Sequence, residues 1–191
     1  MSLLTLKDAG IPLGAPLFPQ LDLTLDPGDR LAIVAPNGRG KSTLLQAIAG
    51  SADLTTGEIT RRRGLVTGTL TQDMPQGLAP LPLRDAVRAA GVEDEDWRVD
   101  IALDDLEIPQ ALRDRRMGDL SGGWQRLAML ARVWVTDPDL ILMDEPTNHL
   151  DLSRIGLLQR WIAALPRATA LIIVSHDRAF LDDVCTRTLF L

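Results

Sequence analysis

Ala35-Pro36-Asn37-Gly38-Arg39-Gly40-Lys41-Ser42-Thr43 is the stretch that decides the fold of this chain of 191 residues. An apolar run at residues 31–34 precedes it, and residues 44–50, which have helical spacing and end in a glycine, follow it. The order of strand, glycine-bearing loop and helix predicts a turn of backbone N–H groups that opens onto a helix N-terminus. Such a turn binds polyphosphate, so we expect a nucleoside triphosphate with Mg²⁺ here.

The residue types of this loop suit a triphosphate. Gly38 and Gly40 let the main chain close around the β-phosphate, Lys41 can reach the β and γ oxygens, and the Ser42 hydroxyl can bind Mg²⁺. The usual pattern, G-x-x-x-x-G-K-[ST], has glycine where this chain has Ala35. A methyl group there is harmless if φ is negative, and it costs about 1–2 kcal/mol if the left-handed region is required.

Composition and charge limit the class of protein. The chain is 46% hydrophobic, enough for one good core, and its net charge of −6 gives no global basic field that would attract nucleic acid. It has no apolar stretch of eighteen residues and no signal-peptide pattern, and its single cysteine, Cys185, allows no internal disulfide. We therefore expect a cytoplasmic protein that does not itself span a membrane.

The segments before and after the loop and its helix have the sequence patterns of short strands. Residues 3–6 and 21–25 have strand patterns, and the β-branched residues of 55–60 and 65–71 predict an antiparallel pair. Three arginines at 61–63 lie between the members of that pair. A solvated turn or a strand edge that blocks strand addition explains them more simply than a nucleic-acid contact, although both interpretations stay open here.

Residues 74–119 have a different character. Prolines at 75, 80 and 82 form a loop, and helical spacing follows at residues 83–90 and 97–106. We predict a small helical subdomain at about residues 74–119. It is inserted into a core made of residues 1–72 and 120–191, which also includes the antiparallel part.

A second anion site is predicted at residues 120–125, where a helix begins. Ser121 is a natural N-cap, and Gly122 and Gly123 expose unobstructed N–H groups at the positive end of that helix.

Two further apolar runs end in polar groups. Residues 140–143 run into Asp144 and Glu145, and residues 170–174 run into Ser175 and His176. Both runs are typical of buried parallel strands, whose carboxyl ends meet at the edge where ligands bind. The phosphate loop also follows such a strand, so we expect the three groups to converge. Between the two runs, residues 152–165 predict a helix whose apolar face includes Leu152.

Because it carries all of these motifs, the chain resembles an ATP-binding-cassette (ABC) ATPase nucleotide-binding domain over nearly all of its 191 residues. The matching features are the phosphate loop at 35–43, Gln72, the signature at 120–123, the acid pair after 140–143, Asp151 and His176. The resemblance implies an α/β fold with the three-layer core of a P-loop NTPase: a mostly parallel sheet, an antiparallel β subdomain and a small inserted helical subdomain.

Finer detail is similar to the soluble ABC-F class. The matching stretches are Glu-Pro-Thr-Asn-His-Leu-Asp at 145–151 and Ser-His-Asp-Arg-Ala-Phe-Leu at 175–181, and Trp124 resembles the first cassette of such proteins. Members of this class pair two cassettes in one chain and act on ribosomes. About 47 residues separate Gln72 from Leu120, which leaves little room for a long inserted arm, and no second cassette is present. We therefore expect a fragment of a longer chain or a single cassette.

The resemblance also implies site residues. The catalytic candidates are Glu145 as the base, His176, Lys41 and Gln72. The nucleotide-binding candidates are Asn37, Gly38, Arg39, Gly40, Lys41, Ser42, Thr43, Ser121, Gly122, Gly123 and Asp151. The Mg²⁺ candidates are Ser42, Gln72 and Asp144. Asp151 has a second interpretation as a helix N-cap, which its place before Leu152 favours.

The implied activity is ATP hydrolysis at a head-to-tail interface with a second cassette, in which the signature of one cassette closes over the ATP of the other. The partner cassette belongs to the same full-length chain or to a homodimer, and the ribosome is the implied target. Two alternatives stay open. One is the ATP-binding subunit of a membrane transporter, with a transmembrane permease as partner, and the other is a nucleotide-gated binding module with negligible turnover.

The adenine site departs from the family pattern. The family stacks the base on an aromatic residue just upstream of the first core strand, and residues 9–13 contain no ring; Phe18 is the nearest candidate. The loss of a base stack costs about 1–3 kcal/mol. We therefore expect weak affinity and poor discrimination between ATP and GTP.

Overall fold

The computed structural model describes residues 1–10, 21–36, 40–91 and 95–191. Within these ranges the strands are β1 (Leu4–Gly10), β2 (Leu21–Leu25), β3 (Arg30–Val34), β4 (Thr56–Arg61), β5 (Thr67–Leu70), β6 (Leu140–Asp144), β7 (Ala170–Val174) and β8 (Arg187–Phe190). The helices are α1 (Lys41–Ala49), α2 (Leu83–Arg88), α3 (Asp96–Asp105), α4 (Gln110–Arg113), α5 (Gly122–Trp134), α6 (Leu152–Ala164) and α7 (Arg178–Val184). The predicted site residues Asn37, Gly38 and Arg39, and the ring of Phe18, lie outside the described residues.

A parallel sheet of five strands forms the middle layer, in the order β5-β6-β7-β3-β8. Every residue of β7 is buried, as are the first four of β6. Alternate residues of β6 and β7 face opposite cores: Leu140 and Leu142 pack on the side of α1, whereas Ile141 and Met143 pack on the side of α5 and α6. A strand covered on both faces must be apolar throughout, which explains the continuous runs seen in the sequence.

A second sheet is antiparallel, with the order β2-β1-β4. In β2 the leucines are buried and the intervening Asp22 and Thr24 are exposed, as expected for a sheet with one face toward the core. Its buried side chains join α1 and one face of the parallel sheet in a single apolar cluster. The chain therefore has three layers, with α5, α6 and α7 packed on the opposite face of the parallel sheet.

The predicted antiparallel pairing of residues 55–60 with 65–71 is wrong. β4 pairs with β1 in the antiparallel sheet, and β5 pairs in parallel with β6. β5 packs against α5 so closely that a Cβ on Gly68 would lie 2.7 Å from Cγ1 of Val133. Strand propensity located both segments, but their partners are set by the buried face that each one covers.

The helical segment of the chain contains the short α4 and two 3₁₀ helices, Gln76–Leu78 and Met117–Asp119, that the sequence pattern missed. α2 and α3 agree with the predicted helices, and the short α4 lies beyond them. Buried residues of α2 and α3 belong to the same apolar cluster as those of α5. The proposed division into a core and a helical subdomain at about residues 74–119 stays a prediction.

Two helices near the site also differ from expectation. α6 has nearly the predicted bounds, but Leu152 is 88% exposed and lies outside the core. It is the first residue after the N-cap, where the helix has not yet reached the sheet. The sequence pattern did not predict α7, which begins where the Asp177 carboxylate accepts a hydrogen bond from the amide of Phe180 at 3.0 Å. No helix in the described parts of the chain has the length and apolar character needed to cross a membrane.

Candidate nucleotide site

The carboxyl ends of three neighbouring strands meet at one edge of the parallel sheet. In the pairing register Asp144 of β6 lies opposite Val174 of β7, and Val174 lies opposite Ile33 of β3. The residues that follow these strands, among them Glu145 and His176, are therefore brought together with the start of the phosphate loop. The predicted convergence of the three groups agrees with the strand order.

Gly40 and Lys41 form the described end of the phosphate loop. Gly40 takes the N-cap position of α1 with a φ of 71°, a left-handed conformation that glycine adopts without strain. The Lys41 ammonium group is buried and donates hydrogen bonds to the carbonyl oxygens of Ala35 at 2.7 Å and Pro36 at 3.1 Å. Its charge is thus held over the loop, and the first turn of α1 contains no acidic residue that would repel a phosphate.

Ala35 fits the loop without strain. It is buried and is not among the described residues with positive φ, so the methyl group occupies an ordinary backbone conformation. Of the two expected situations, the harmless one applies.

Glu145 and His176 form a close pair. Nε2 of His176 lies 3.2 Å from Oε1 of Glu145, and the His176 amide donates to Oε2 of the same carboxylate at 3.3 Å. The Glu145 side chain is only 12% exposed, whereas that of His176 is 55% exposed. Glu145 has a φ of 48°, and its amide donates to the carbonyl of Val174 at 2.8 Å. A left-handed non-glycine residue at the end of a buried strand is a form of strain that accumulates at functional sites.

Arg126 is a residue that the sequence analysis missed. Its guanidinium is buried and donates to the carbonyl oxygens of Asp144 at 2.5 Å, Glu145 at 2.8 Å and Gln72 at 3.3 Å, and also to that of Thr71. Burial lowers the pKa of Arg126 to about 10, against the opposing effect of the nearby Asp144 and Glu145 carboxylates. The signal in the sequence was a cation at helical spacing from apolar residues of α5, four positions before Leu130 and seven before Val133, both of which are buried.

Gln72 follows β5 at the same edge of the sheet. Its backbone is fixed by Arg126, and its exposed side chain lines a cleft of about 200 Å³ together with Gly122 and His149. The structure therefore brings Gln72 close to the start of the signature helix as well as to the end of β6.

The start of α5 differs from the prediction in one respect. Ser121 occupies the N-cap position, but its side chain makes no capping hydrogen bond, so the expectation that it caps the helix is wrong. The helix start is tied instead by Gln125, whose side-chain amide donates to the carbonyl oxygens of Met117 at 3.0 Å and Leu120 at 3.1 Å. These bonds immobilise the turn without using the hydroxyl of Ser121.

Asp151 acts as a helix cap. It occupies the N-cap position of α6, and its carboxylate accepts a hydrogen bond from the amide of Arg154 at 2.9 Å. Of the two interpretations, the N-cap is what the structure shows.

The donor set at this edge fits Mg²⁺. Ser42 is exposed in the first turn of α1, Asp144 is half-buried at the end of β6, and Gln72 is exposed after β5. Among the described residues no three His, Cys, Asp or Glu side chains are grouped as a metal cage. A hydroxyl, a carboxylate and an amide are the sparse oxygen ligands that Mg²⁺ uses when phosphates and water complete its shell.

A groove of about 500 Å³ lies elsewhere, at the amino ends of β6 and β7. It is lined by Trp97, Trp134 and Trp161 and by the residues flanking those strand starts, Pro138 and Thr169. Ligands of parallel α/β sheets bind at the carboxyl ends, so this groove does not belong to the nucleotide site.

Comparison with known proteins agrees with this geometry. The chain is 40% identical over 190 residues to the ATP-binding protein Uup of Caulobacter vibrioides, covering 98% of this chain and 30% of that protein. It is 30% identical over 204 residues to the energy-dependent translational throttle protein EttA of Mycobacterium tuberculosis, covering 85% and 36%. It is 36% identical over 182 residues to the zinc import ATP-binding protein ZnuC of Jannaschia sp., covering 93% and 74%. The chain thus spans about a third of the length of Uup and EttA.

A solved structure supports the fold. An ATP-binding subunit of an ABC transporter superimposes with a TM-score of 0.88 at 20% identity, covering all of this chain and 86% of that one. The predicted α/β fold, with its mostly parallel sheet and antiparallel sheet, is confirmed. The resemblance to an ABC cassette of the ABC-F type is likewise confirmed by the relatives. The sequence profile described as ABC transporter matches residues 18–148, more than half of the chain, which therefore belongs to the ABC transporter family.

Proposed function

We propose that this chain binds ATP with Mg²⁺ and hydrolyses it at the interface between two cassettes, which drives a conformational change. The observation that carries the proposal is the Glu145–His176 pair at 3.2 Å, at the sheet edge where the loop preceding Lys41 begins. A carboxylate and an imidazole beside a phosphate-binding loop suit the in-line attack of water on a γ-phosphate.

Phosphate charge is neutralised first. In this proposal Lys41 turns from the carbonyls of the loop to the β and γ oxygens, and the amides of the loop and of the α1 N-terminus, including that of Thr43, hold the remaining oxygens. Asn37, Gly38 and Arg39 contribute through the part of the loop outside the described residues.

Mg²⁺ would be held by Ser42 and Asp144, with Gln72 reaching its waters, and when bound it would neutralise charge on the β- and γ-phosphates. The protein's own contribution is to fix these oxygens. Arg126 fixes two of the three Mg²⁺ candidates, because its guanidinium donates to the backbone carbonyls of both Gln72 and Asp144.

Glu145 is the base in this scheme. Its carboxylate accepts a proton from the attacking water or orients that water, and its low exposure keeps bulk water from competing. His176, which is more exposed, holds the γ-phosphate and the water in line. The hydrogen bond from the His176 amide orients the carboxylate before substrate arrives.

Ser121, Gly122 and Gly123 act on the nucleotide of a second cassette. Their amides lie at the positive end of α5, which favours an anion. Asp151, at the start of α6, contributes to the same contact in this proposal. ATP therefore joins two cassettes, and hydrolysis loosens them.

Replacement of Glu145 by Gln tests the enzyme proposal. We expect phosphate release in the presence of ATP and Mg²⁺ to fall by about 10²–10⁴-fold, with ATP binding retained, because the amide cannot take a proton. Glu58→Gln, on the exposed face of β4, is the matched control and should behave as wild type. Equal phosphate release from wild type and Glu145→Gln would favour a binding module that does not turn over.

We further propose that the conformational change serves translation. The support is the similarity to the energy-dependent translational throttle protein EttA. A role as the ATP-binding subunit of a transporter, with a transmembrane permease as partner, is the second candidate. It is favoured by ZnuC, of which the chain covers 74%.

Sedimentation separates these roles. The Glu145→Gln protein, which should accumulate in the ATP-bound state, is run from lysate through a sucrose gradient with ATP after membranes are removed. Comigration with ribosomes that is lost without ATP supports the translation role. Recovery in the membrane pellet instead would assign the chain to transport.

A further inference from the structure

Arg154 joins three parts of the site that come from two helices. Its guanidinium carbon lies 4.4 Å from the centre of the Trp124 ring on α5, and Nη1 forms an ion pair with Oδ2 of Asp151 at 2.7 Å. A Cβ placed on Gly123 would lie 3.0 Å from the same Nη1. One side chain therefore touches the signature glycine, the residue after it and the N-cap of α6.

The position of this cation is unusual for a helix. Arg154 lies in the first turn of α6, where the helix dipole disfavours positive charge. The carboxylate of Asp151 on the same helix and the ring of Trp124 on α5 offset that repulsion. The Arg154 side chain is accordingly only 25% exposed.

The signature turn also packs directly on the loop before α6. A Cβ on Gly122 would lie 3.3 Å from Cβ of His149, and one on Gly123 would lie 3.1 Å from the His149 carbonyl oxygen. His149 itself has a φ of 66°. Two glycines and a left-handed residue thus allow a close approach, and the cation of Arg154 closes over it.

We propose that Arg154 is a positioning residue. It locks the signature turn, residues 121–124, to the loop that precedes α6 and ends at Asp151, so that both face a second cassette as one rigid unit. The proposal rests on the proposed function, because it assigns the signature amides and Asp151 to the nucleotide of the partner cassette. Arg154 acts through Gly123, Trp124 and Asp151 and leaves the phosphate loop of its own chain untouched.

Hydrogen exchange tests the lock without requiring turnover. In Arg154→Ala the hydrogen-bonded amides of residues 125–127, beginning with that of Gln125, which donates to the carbonyl of Ser121 at 3.0 Å, should exchange about tenfold faster, while those of α1 keep their wild-type rates. Arg154→Lys, which retains a cation for Asp151 and Trp124, should return the exchange toward wild type. The matched control is Arg160→Ala on the same helix, since Arg160 pairs with Glu107 and not with Asp151 or Trp124.

Steady-state kinetics test the positioning role. Arg154→Ala should lower kcat for ATP about tenfold and leave KM within twofold, because the nucleotide still binds an intact phosphate loop. Arg154→Lys should recover most of kcat, and Arg160→Ala should match wild type.

The outcomes separate the two proposals. Exchange at residues 125–127 equal in Arg154→Ala and Arg160→Ala overturns the lock, even if wild type hydrolyses ATP. Faster exchange with unchanged kcat overturns the positioning role and leaves Arg154 a structural residue. A wild-type chain without turnover contradicts the proposed function, and the exchange rates still decide whether Arg154 holds the signature turn.

Discussion

At the scale of single residues, Arg126 holds the candidate site together. Its buried guanidinium donates hydrogen bonds to carbonyl oxygens after β5 and at the end of β6. The backbone segments that carry Gln72, Asp144 and Glu145 are therefore held by one cation. An arginine is required because its planar fork reaches several acceptors at once, whereas a lysine ammonium is a point charge. The proposed catalytic site therefore depends on a residue that we do not expect to touch the nucleotide.

Replacement of Arg126 by Lys should lower both the free energy of unfolding and the additional stability that bound ATP gives. We expect the free energy of unfolding to fall by about 2–4 kcal/mol, because buried carbonyls lose their donors, and the stabilisation by ATP to shrink. Urea titrations with and without ATP and Mg²⁺ measure both effects.

Arg113→Lys is the control for Arg126→Lys. Arg113 is also buried and donates to the carbonyl of Ile108, but it lies in the helical segment away from the site. It should cost comparable stability and leave the ATP response intact. A full ATP response in Arg126→Lys would show that the guanidinium is only a core residue.

At the scale of elements, α1 is held at both ends. Lys41 and Gly40 fix its start, and Gly50 ends it with a φ of 83°, as the glycine stop in the sequence predicted. Arg61 of β4 donates to the carbonyl oxygens of Ile48 at 3.1 Å and Ala47 at 2.5 Å in the last turn of the helix, where the Ala47 oxygen also accepts from the Gly50 amide. The antiparallel sheet thus anchors the helix that carries the phosphate loop.

The arginine run at 61–63 is explained by such contacts. Arg61 donates to carbonyl oxygens at the end of α1. Arg62 forms an ion pair with Asp139 at 2.6 Å, and its hydrogen bond lowers the pKa of the Asp139 carboxyl. Two of the three cations have partners within the chain, which favours the predicted strand edge over a nucleic-acid contact.

Replacement of Arg61 by Met should destabilise the chain by about 1 kcal/mol, because two helix-terminal carbonyls lose a charged donor that is partly exposed to solvent. The measurement is the urea midpoint of unfolding. Arg63→Met, at an exposed position two residues along the same run, should leave the midpoint unchanged. Equal effects of the two changes would mean that general charge, and not the cap on α1, sets the result.

At the scale of the whole molecule, the three layers bring the start of the phosphate loop, Asp144, Glu145 and His176 to one edge of the central sheet. The parallel strands deliver Glu145 and His176 there, and α5 delivers Arg126 and the signature turn. The adenine end of the site stays a prediction, because Phe18 lies outside the described residues and the described Ala9 and Gly10 offer no ring.

ATP and GTP should protect the chain equally against thermal unfolding. Without a base stack worth about 1–3 kcal/mol, the two nucleotides share the same phosphate contacts. The shifts in Tm at equal concentrations with Mg²⁺ should therefore agree within about 2 °C, since 1 kcal/mol corresponds to about 2–4 °C in a chain of this size.

Lys41→Ala is the control for the nucleotide comparison and should abolish both shifts, because the loop loses its cation. A shift with ATP that is several degrees larger than with GTP would show that a ring does hold the adenine.

Local sequence patterns predicted many of the strands and helices. The continuous apolar runs predicted β6 and β7, and the order of strand, loop and helix predicted β3 and α1. The pairing of β5 was missed, because strand propensity does not record which neighbour covers a strand. Of the two predicted caps, Ser121 has the right residue type and position but its hydroxyl makes no capping bond, whereas Asp151 caps its helix as its place before Leu152 favoured.

The sequence by itself determined the family of the chain and its set of candidate site residues, because the phosphate loop, the acid pair after a buried strand and the histidine after the next one are recognised by residue type over a few neighbouring positions. Only the tertiary structure decided what holds these candidate residues in place. The contacts of Arg126 span up to 55 residues of chain, and Arg154 reaches Trp124 on another helix. Such contacts depend on packing between distant segments, and no local pattern encodes the partner of a buried cation.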